Sequence, residues 1–270
     1  MRRFLFLARL ETHCHGGAAL AIVLVAGLVA RPLHGQNPAA SPRATLLAAD
    51  RAASSAVLKH GLAAGLREVM GDSVVFLYEG APILSGLKQV AQVLDAQPAL
   101  TRLKVQWLPV IAAVSSDGNF GVTSGPTVIG TIGQPADSSL RYGHYISVWR
   151  RNGETWKIVA LIENGLANPD SVVMGEAARS VPTAPPIAGA GRPFADADIA
   201  FARLAADSGA PAAFGTWAAP DATTPPGGGP VTVGAAAIRA RMQATGAGSS
   251  VWAWHPVHAG SSQSGDLGYT

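Results

Sequence analysis

This chain has very little cysteine, no excess of charge of one sign, and none of the common catalytic sequence motifs. Its single cysteine, Cys14, lies close to the N-terminus. The rest of the chain therefore has no disulfide, no thiolate nucleophile and no cysteine ligand for a metal. Charged residues make up 14% of the sequence, and beyond residue 35 there are 16 basic and 16 acidic side chains. This balance gives no electrostatic reason to expect a nucleic-acid or anionic-membrane partner.

Motifs that hold phosphates, metals or activated nucleophiles are also missing from the sequence. It contains no glycine-rich phosphate loop, no nucleophile elbow and no zinc-ligand pattern. His255 and His258 are three residues apart, but on a strand they would point to opposite faces, and no carboxylate joins them. We therefore expect neither a metal site nor a bound cofactor.

The leader, residues 1–35, has the pattern of a secretory signal peptide. Arginines give it a positive start, and an apolar run of 13 residues follows from Ala18 to Ala30. This run is short for a membrane span of about 20 residues, but its length suits the core of a signal peptide. We predict cleavage near Gly35, a periplasmic or secreted location, and no membrane span after cleavage. An uncleaved anchor is the alternative.

Two stretches of the chain resemble each other at a nearly constant spacing. Trp107-Leu108-Pro109-Val110 recurs as Trp254-His255-Pro256-Val257, 147 residues later, and upstream the spacing becomes 148, as between Asp50 and Asp198. Glycines and prolines recur at the same spacings: Gly61 and Gly209, Pro82 and Pro230, Gly86 and Gly234, Gly118 and Gly265. Because such residues mark where a backbone turns, the two stretches are predicted to share one fold.

Helices open the first stretch and strands close it. Hydrophobic spacing predicts helices over 42–59, 62–70 and 86–94. β-Branched and aromatic runs predict strands over 74–78, 104–114, 120–129, 141–150 and 156–163. Asn152-Gly153 predicts a hairpin between the last two strands. Because helices and strands do not alternate regularly, the predicted fold class is α+β.

The remaining residues divide into a linker and a second copy. Residues 168–192 are rich in Pro, Ala and Gly, which is typical of a linker. The second copy runs over 194–270, and Thr270 matches Thr123 in the first copy. We expect this copy to be C-terminally truncated, which implies either a fragment of a longer protein or a poorly ordered second half.

The order of elements and the hairpin between Tyr145 and Val159 resemble the nuclear transport factor 2-like superfamily. Within it, the chain is most similar to SnoaL-like and ketosteroid isomerase-like bacterial domains, mostly of unknown function. The resemblance covers 43–167 and part of 194–270. It implies a cone, in which a curved antiparallel sheet packs on helices around an apolar pocket, with one complete and one truncated copy. It also implies a homodimer through the sheet face.

The catalytic residues of the isomerases are not intact in this sequence. Tyr78-Glu79-Gly80 lacks the Asp-Pro that the resemblance leads us to expect after the first strand. The stretch Ala52-Ala53-Ser54-Ser55 has no tyrosine to act as oxyanion donor on the first helix.

Candidate site residues remain on the fourth predicted strand and around the first. Strand alternation puts His144 and Ile146 on one face and Tyr145 on the other. If the first set faces the pocket, His144 and Glu79 are candidate proton carriers. The alternative is a hydrogen-bonded or exposed His144 and a solvated turn at Glu79.

Two further residues are candidates for the pocket. Asp50 recurs as Asp198, which favours a structural task such as bonding backbone groups beneath the sheet. Tyr78 is expected either at the mouth of the cone or in the core. The predicted pocket residues are thus Asp50, Tyr78 and Ile146.

Three functions fit the sequence. The first is an exported tandem domain that binds a small apolar ligand without catalysis. The second is an isomerase, cyclase or dehydratase that uses His144 and Glu79. The third is an interaction module that dimerises through its sheet.

Overall fold

The computed structural model describes residues 40–78, 82–135, 140–166, 179–180, 192–224, 231–247 and 252–270. The predicted signal peptide, most of the predicted linker and Glu79 lie outside these residues. None of the helices in the described ranges combines the length and the apolar character that crossing a bilayer requires.

The first half of the chain, residues 42–166, begins with helices and ends with long strands. Its helices are α1 (Pro42–His60), α2 (Leu62–Val69), α3 (Leu87–Ala96) and α4 (Pro98–Thr101). Its strands are β1 (Met70–Tyr78), β2 (Leu84–Ser85), β3 (Leu103–Trp107), β4 (Ile111–Val114), β5 (Phe120–Thr131), β6 (Arg141–Asn152) and β7 (Thr155–Leu166). Strands β1 and β2 separate α2 from α3.

Local sequence signals set the ends of α1. The Oγ of Ser41 accepts a hydrogen bond from the N–H of Ala44, and Pro42 occupies the first turn, where its missing N–H costs nothing. Gly61 ends the helix at φ 87°, a backbone region that favours glycine, and its N–H donates to the carbonyl of Val57. Helix α2 begins directly afterwards.

The strands form one eight-stranded sheet that includes the short strand β8 (Arg179–Ser180). The order is β2-β1-β7-β6-β5-β4-β8, and β3 also pairs with β5. The pairs β1–β7 and β4–β8 are parallel, and the others are antiparallel. A parallel β1–β7 pair is possible because α3, α4 and the intervening strands form a long crossover between them.

Helices cover one face of this curved sheet, and the main core lies between the two layers. Leu46 and Val57 of α1 and Leu66 of α2 pack there with Trp149 and Ile158 from the strands. The predicted fold class, an α+β layer pair with a curved and mostly antiparallel sheet, is confirmed.

The single strand predicted over 104–114 is wrong, because the chain forms β3 and β4 with a break at Pro109. Proline has no N–H to donate to the ladder. On either side, the N–H groups of Leu108 and Val110 donate to the carbonyls of Pro126 and Ser124. Gly125 makes this close approach possible, since a Cβ there would lie 1.9 Å from the carbonyl oxygen of Leu108.

The second half of the chain, residues 192–270, has smaller elements. They are α5 (Arg192–Ser208), α6 (Ala210–Trp217), β9 (Thr223–Thr224), β10 (Thr232–Val233), α7 (Ala235–Ala244), β11 (Gly260–Ser261) and β12 (Gly268–Tyr269). Strands β9 and β10 form one two-stranded sheet, and β11 and β12 form another.

Strand pairing in the second half repeats pairing in the first at the spacings seen in the sequence. The β9–β10 register equals the β1–β2 register moved by 148 residues, and the β11–β12 register equals part of β4–β5 moved by 147. The matched pairs are Val75–Ser85 with Thr223–Val233, and Ala113–Val122 with Gly260–Tyr269. A one-residue slip would put each side chain on the other face of the sheet. The identical registers therefore mean that matched residues occupy the same positions in both pairs of strands.

A buried carboxyl group joins α1 to the sheet. Asp50 is fully buried, and its oxygens accept hydrogen bonds from Trp107 Nε1 at 2.5 Å and from the Tyr145 hydroxyl at 2.7 Å. The Thr123 hydroxyl also bonds to Asp50, and it accepts from Trp149 Nε1 at 2.8 Å. Burial raises the pKa of Asp50, and these hydrogen bonds oppose that rise.

The task of Asp50 is therefore structural, but it bonds side chains rather than backbone groups. The backbone of Trp107 is bonded instead by the Ser54 hydroxyl, which contacts both its N–H and its carbonyl at 2.9 Å. In the second half, Trp254 Nε1 donates to Asp198 at 2.8 Å, which repeats the Trp107–Asp50 bond.

Asp50→Ala should lower the free energy of unfolding by about 3–5 kcal/mol, because it leaves buried donors of Trp107 and Tyr145 without an acceptor. Asp198→Ala is the matched control. It removes the equivalent bond at a half-buried position and should cost about 1 kcal/mol. Urea denaturation followed by circular dichroism measures both changes. Equal losses in the two variants would contradict the central position given to Asp50.

Candidate functional site

The two faces of the sheet carry different sets of side chains. Tyr145, Trp149 and Leu161 belong to the core beneath the helices. Val148 and Ala160 belong to a separate cluster on the opposite, outer face. Because neighbours along a strand alternate between faces, these assignments fix the orientation of the rest of β6 and β7.

Glu163 lies on the helix-covered face, two residues beyond Leu161. It pairs directly with Tyr145 across β6–β7 and with Tyr78 across β1–β7. Its Oε2 accepts a hydrogen bond from the Thr127 hydroxyl at 3.1 Å. Four strands therefore bring one carboxyl group, one hydroxyl and two phenol rings to the same part of the sheet.

Glycine makes room for this carboxyl group. Gly143 is the neighbour of Thr127 on β6, and a Cβ there would lie 2.2 Å from Glu163 Oε1. Any larger residue at 143 would displace the carboxyl group.

Polar atoms on this face are left without partners in the described part of the chain. Glu163 Oε1 is shielded from solvent and has no hydrogen-bond partner there. The same holds for Ser147 Oγ, which lies opposite Thr123 on the same face. Such atoms cost about 1–3 kcal/mol each unless a water or a ligand bonds them.

Aromatic side chains border the site. Tyr78 lies 5.4 Å from Phe76 between ring centroids, and its hydroxyl accepts from Gln97 Nε2 at 3.2 Å. On the other side, the rings of Trp107 and Tyr145 lie 5.7 Å apart. The carboxyl group of Glu163 is thus set in a mainly aromatic and apolar environment.

This environment changes the acidity of Glu163. Burial raises its pKa to about 7, against a smaller opposite effect from the Thr127 hydroxyl. Near neutral pH the group is therefore both a hydrogen-bond donor in its protonated form and an acceptor in its ionised form. A carboxyl group with these properties can bind a neutral polar atom or transfer a proton.

His144 does not meet the condition for a proton carrier in the pocket, and the alternative of a hydrogen-bonded His144 describes it better. Alternation correctly groups His144 with Ile146 and Val148, but that set is on the outer face, away from the helices. Alternation shows which residues share a face and not which face the helices cover. His144 is buried, its Nε2 lies 2.8 Å from Ser124 Oγ, and burial lowers its pKa to about 4.

The other predicted site residues are distributed as follows. Asp50 and Tyr78 are on the helix-covered side, Asp50 in the core and Tyr78 beside Glu163. Ile146 shares the outer face with His144 and is half-buried, so it does not line the same space. Glu79 lies outside the described residues. The structure therefore does not bring His144 together with Tyr78 or Asp50.

Sequence reasoning missed Glu163. It ends the apolar run Ile158–Ile162 and precedes Asn164-Gly165, so it has the pattern of a strand end in solvent. The turn predicted at Asn152-Gly153 pairs Tyr145 with Ala160 instead, and the observed turn together with the register irregularity between Val148 and Trp149 brings Glu163 opposite Tyr145. Among the described residues, no group of three or more His, Cys, Asp or Glu side chains is arranged to hold a metal ion.

No protein-family model and no curated protein matches this chain. Solved structures do. A ketosteroid isomerase-like protein from Erwinia carotovora atroseptica is 12% identical, with 47% of this chain and 97% of that chain covered and a TM-score of 0.38. An LEH-like epoxide hydrolase from M. tuberculosis is 12% identical, with coverages of 46% and 80% and a TM-score of 0.34.

A third similar structure is a domain of unknown function with a cystatin-like fold from Nostoc punctiforme. It is 16% identical, with coverages of 46% and 77% and a TM-score of 0.36. The neighbours include proteins of the class that the sequence resembles.

His144→Ala should lower stability by about 2–3 kcal/mol, because it removes a buried ring and leaves the Ser124 hydroxyl without its partner. The exposed His60→Ala is the control and should change stability by less than about 1 kcal/mol. Thermal and urea unfolding measure both. An unchanged melting temperature for His144→Ala would show that the ring is not a packed part of the outer face.

Glu163 should make stability fall as pH rises from about 4.5 to about 7. In that range the folded protein keeps a proton that the unfolded chain has lost, so folding becomes less favourable by about 2–3 kcal/mol. Unfolding free energies of the wild type and Glu163→Gln at pH 5 and pH 8 isolate this effect, because other titrating groups are common to both proteins. For the exposed Glu154→Gln control, the difference in unfolding free energy from wild type should be the same at pH 5 and pH 8. A constant difference for Glu163→Gln would contradict the raised pKa.

Proposed function

We propose that the first half of the chain is a binding domain for a small, mainly apolar molecule that carries one hydrogen-bonding group. The observation that supports this most directly is Glu163 Oε1, a solvent-shielded acceptor without a partner among the described residues. A ligand atom bonded there would remove a cost of about 1–3 kcal/mol. The proposal keeps the binding function expected from the sequence and gives it a new polar contact.

The chemistry of the site limits the kind of ligand. Its neighbours on the same face include Phe76, Tyr78, Trp107 and Leu161, which favour apolar and aromatic surfaces. A charged ligand would be poorly solvated there, and the described residues of this site provide no basic side chain to pair with it. A neutral carbonyl or hydroxyl group suits Glu163, because the carboxyl group can donate or accept near pH 7.

A second candidate function is proton transfer, with Glu163 as the acid or base. The observation that favours it is the pKa of about 7, because a general acid–base works best when its pKa is close to the working pH. The earlier pairing of His144 with Glu79 is not part of this candidate, since His144 lies on the outer face.

We also propose that the protein acts outside the cytoplasm. The support is the signal-like pattern of residues 1–35, with its positive start and short apolar core. The absence of thiols beyond Cys14 is compatible with an oxidising compartment.

The test is to identify what the purified protein retains. Wild type, Glu163→Leu and Glu163→Gln are loaded with a cell extract, washed, extracted with solvent and compared by mass spectrometry. We expect a small neutral apolar molecule with wild type and Glu163→Gln, because glutamine also donates and accepts. Glu163→Leu should lose it at least tenfold, and the exposed Glu154→Leu should not.

The same molecule separates the two candidates. If wild type converts it and Glu163→Gln binds it without conversion, proton transfer is the function. If both bind it unchanged over time, the domain only binds. Equal retention by wild type and Glu163→Leu, or no retained molecule with wild type, would contradict the proposed site.

A further inference from the structure

Two turns, one in each half of the chain, have the same hydrogen bonds. In the turn over 115–120, the N–H of Ser115 donates to the carbonyl of Phe120 at 2.8 Å. In the turn over 262–267, the N–H of Ser262 donates to the carbonyl of Leu267, also at 2.8 Å. Gly118 and Gly265 each have φ 72° at the equivalent position. The two turns therefore have one backbone design.

The two turns are joined by a pair of hydrogen bonds, in which an aspartate of each turn accepts from the backbone of the other. Asp117 Oδ2 accepts from the backbone N–H of Ser264 at 3.0 Å, and Asp266 Oδ2 accepts from the backbone N–H of Ser116 at 2.8 Å. Each carboxylate thus bonds the backbone of the opposite turn.

Each carboxylate also keeps its own turn in place. Asp117 Oδ1 accepts from the Ser115 hydroxyl and from the N–H of Asn119. Asp266 Oδ1 accepts from the Ser262 and Ser264 hydroxyls. Each aspartate thus divides its two oxygens in the same way, one for its own turn and one for the other half.

The acidity of both groups agrees with this arrangement. Burial acts to raise the pKa of Asp117 and of Asp266, but the hydrogen bonds outweigh it and hold both pKa values below the usual range. Both groups therefore accept these bonds as carboxylates at neutral pH.

Equivalent side chains beyond the turns also meet. Phe120 and Val122 lie on the outer face of the sheet, and Leu267 and Tyr269, which match them at the spacing of 147, pack into the same cluster. The rings of Phe120 and Tyr269 stack with centroids 6.3 Å apart. Arg150 Nη2 adds a bond to the carbonyl of Ser261 at 3.3 Å.

We propose that the chain is an internal dimer, in which two copies of one fold pair about an approximate two-fold axis between the turns over 115–120 and 262–267. Contact of a patch with its own equivalent is the signature of a two-fold interface between identical subunits. Here both patches are in one chain. The occupant of the outer sheet face is therefore the second half of the same chain.

This pairing has a consequence for assembly. The family resemblance of the sequence implies a homodimer through the sheet face, and in the internal dimer the chain's own second half takes the place of the second subunit. The protein should be monomeric in solution, and the two turns should protect each other's backbone amides from exchange with solvent.

Hydrogen exchange of the whole chain tests the reciprocal bonds. Asp117→Ala should speed the exchange of the Ser264 amide about tenfold, and Asp266→Ala should do the same for the Ser116 amide. Asp117→Asn keeps one acceptor oxygen and should have a smaller effect. The exposed Asp207→Ala, in the second half, is the control and should change neither amide. Circular dichroism checks that each variant remains folded.

Sedimentation of the same proteins completes the test. The internal dimer is supported if the protein sediments with the mass of a single chain and each aspartate variant speeds amide exchange in the opposite half. If each aspartate variant loosens only its own turn, the two halves do not pair through these bonds. A stable two-chain species that Asp117→Ala and Asp266→Ala both dissociate would show that the turns meet between separate chains. Either of these last results would overturn the proposal.

Discussion

The carboxyl group of Asp50 is the interaction on which the first half of the chain depends. A buried carboxyl group has to be hydrogen-bonded, and the donors of Asp50 come from three different strands. Trp107 ends β3, Tyr145 lies in the middle of β6, and Thr123 is on β5. These bonds hold α1 against the curved sheet at one position, because a shift of the helix by one turn would break all of them together. The helix-covered face is closed by this contact.

The two faces of the sheet then serve different purposes. On the helix-covered side, Glu163 and Ser147 retain polar atoms that no described residue bonds, which is a cost to folding that a ligand could offset. On the outer side, Phe120 and Val148 form an apolar cluster that the second half of the chain completes. Burial acts on both sides, but it raises the pKa of a carboxyl group on one face and lowers that of His144 on the other.

Much of the fold follows from residues that mark turns and helix ends in the sequence. Gly61 ends α1 and Gly153 lies in the turn between β6 and β7 as the sequence predicts, since glycine at positive φ is a local requirement, although Asn152 itself pairs with Thr155 in the sheet. Three features needed tertiary information. Pro109 splits a strand because β5 approaches it at Gly125. The covered face of β6 is decided by where α1 lies, so alternation left open whether His144 or Tyr145 faces the helices. Glu163 has an ordinary strand-end sequence, and its importance comes only from the neighbours that β1, β5 and β6 bring to it.

A comparison of the two halves distinguishes the features that maintain the fold and the contact between the halves from those of the candidate ligand site. The Asp–Trp bond that holds α1 repeats as Asp198–Trp254 on α5, and the backbone of the turn repeats as 262–267. The two aspartates that bond across the turns are at different positions of the repeat, because Asp117 matches Ser264 and Asp266 matches Asn119. Tyr78, beside the candidate ligand contact, is matched in sequence by Pro226, which has neither an aromatic ring nor a hydroxyl. A chain with two such halves can keep one as a binding domain while the other maintains the paired surface. The position of Tyr78 is then free to differ between the halves, because neither the Asp–Trp bond nor the contact between the turns uses it.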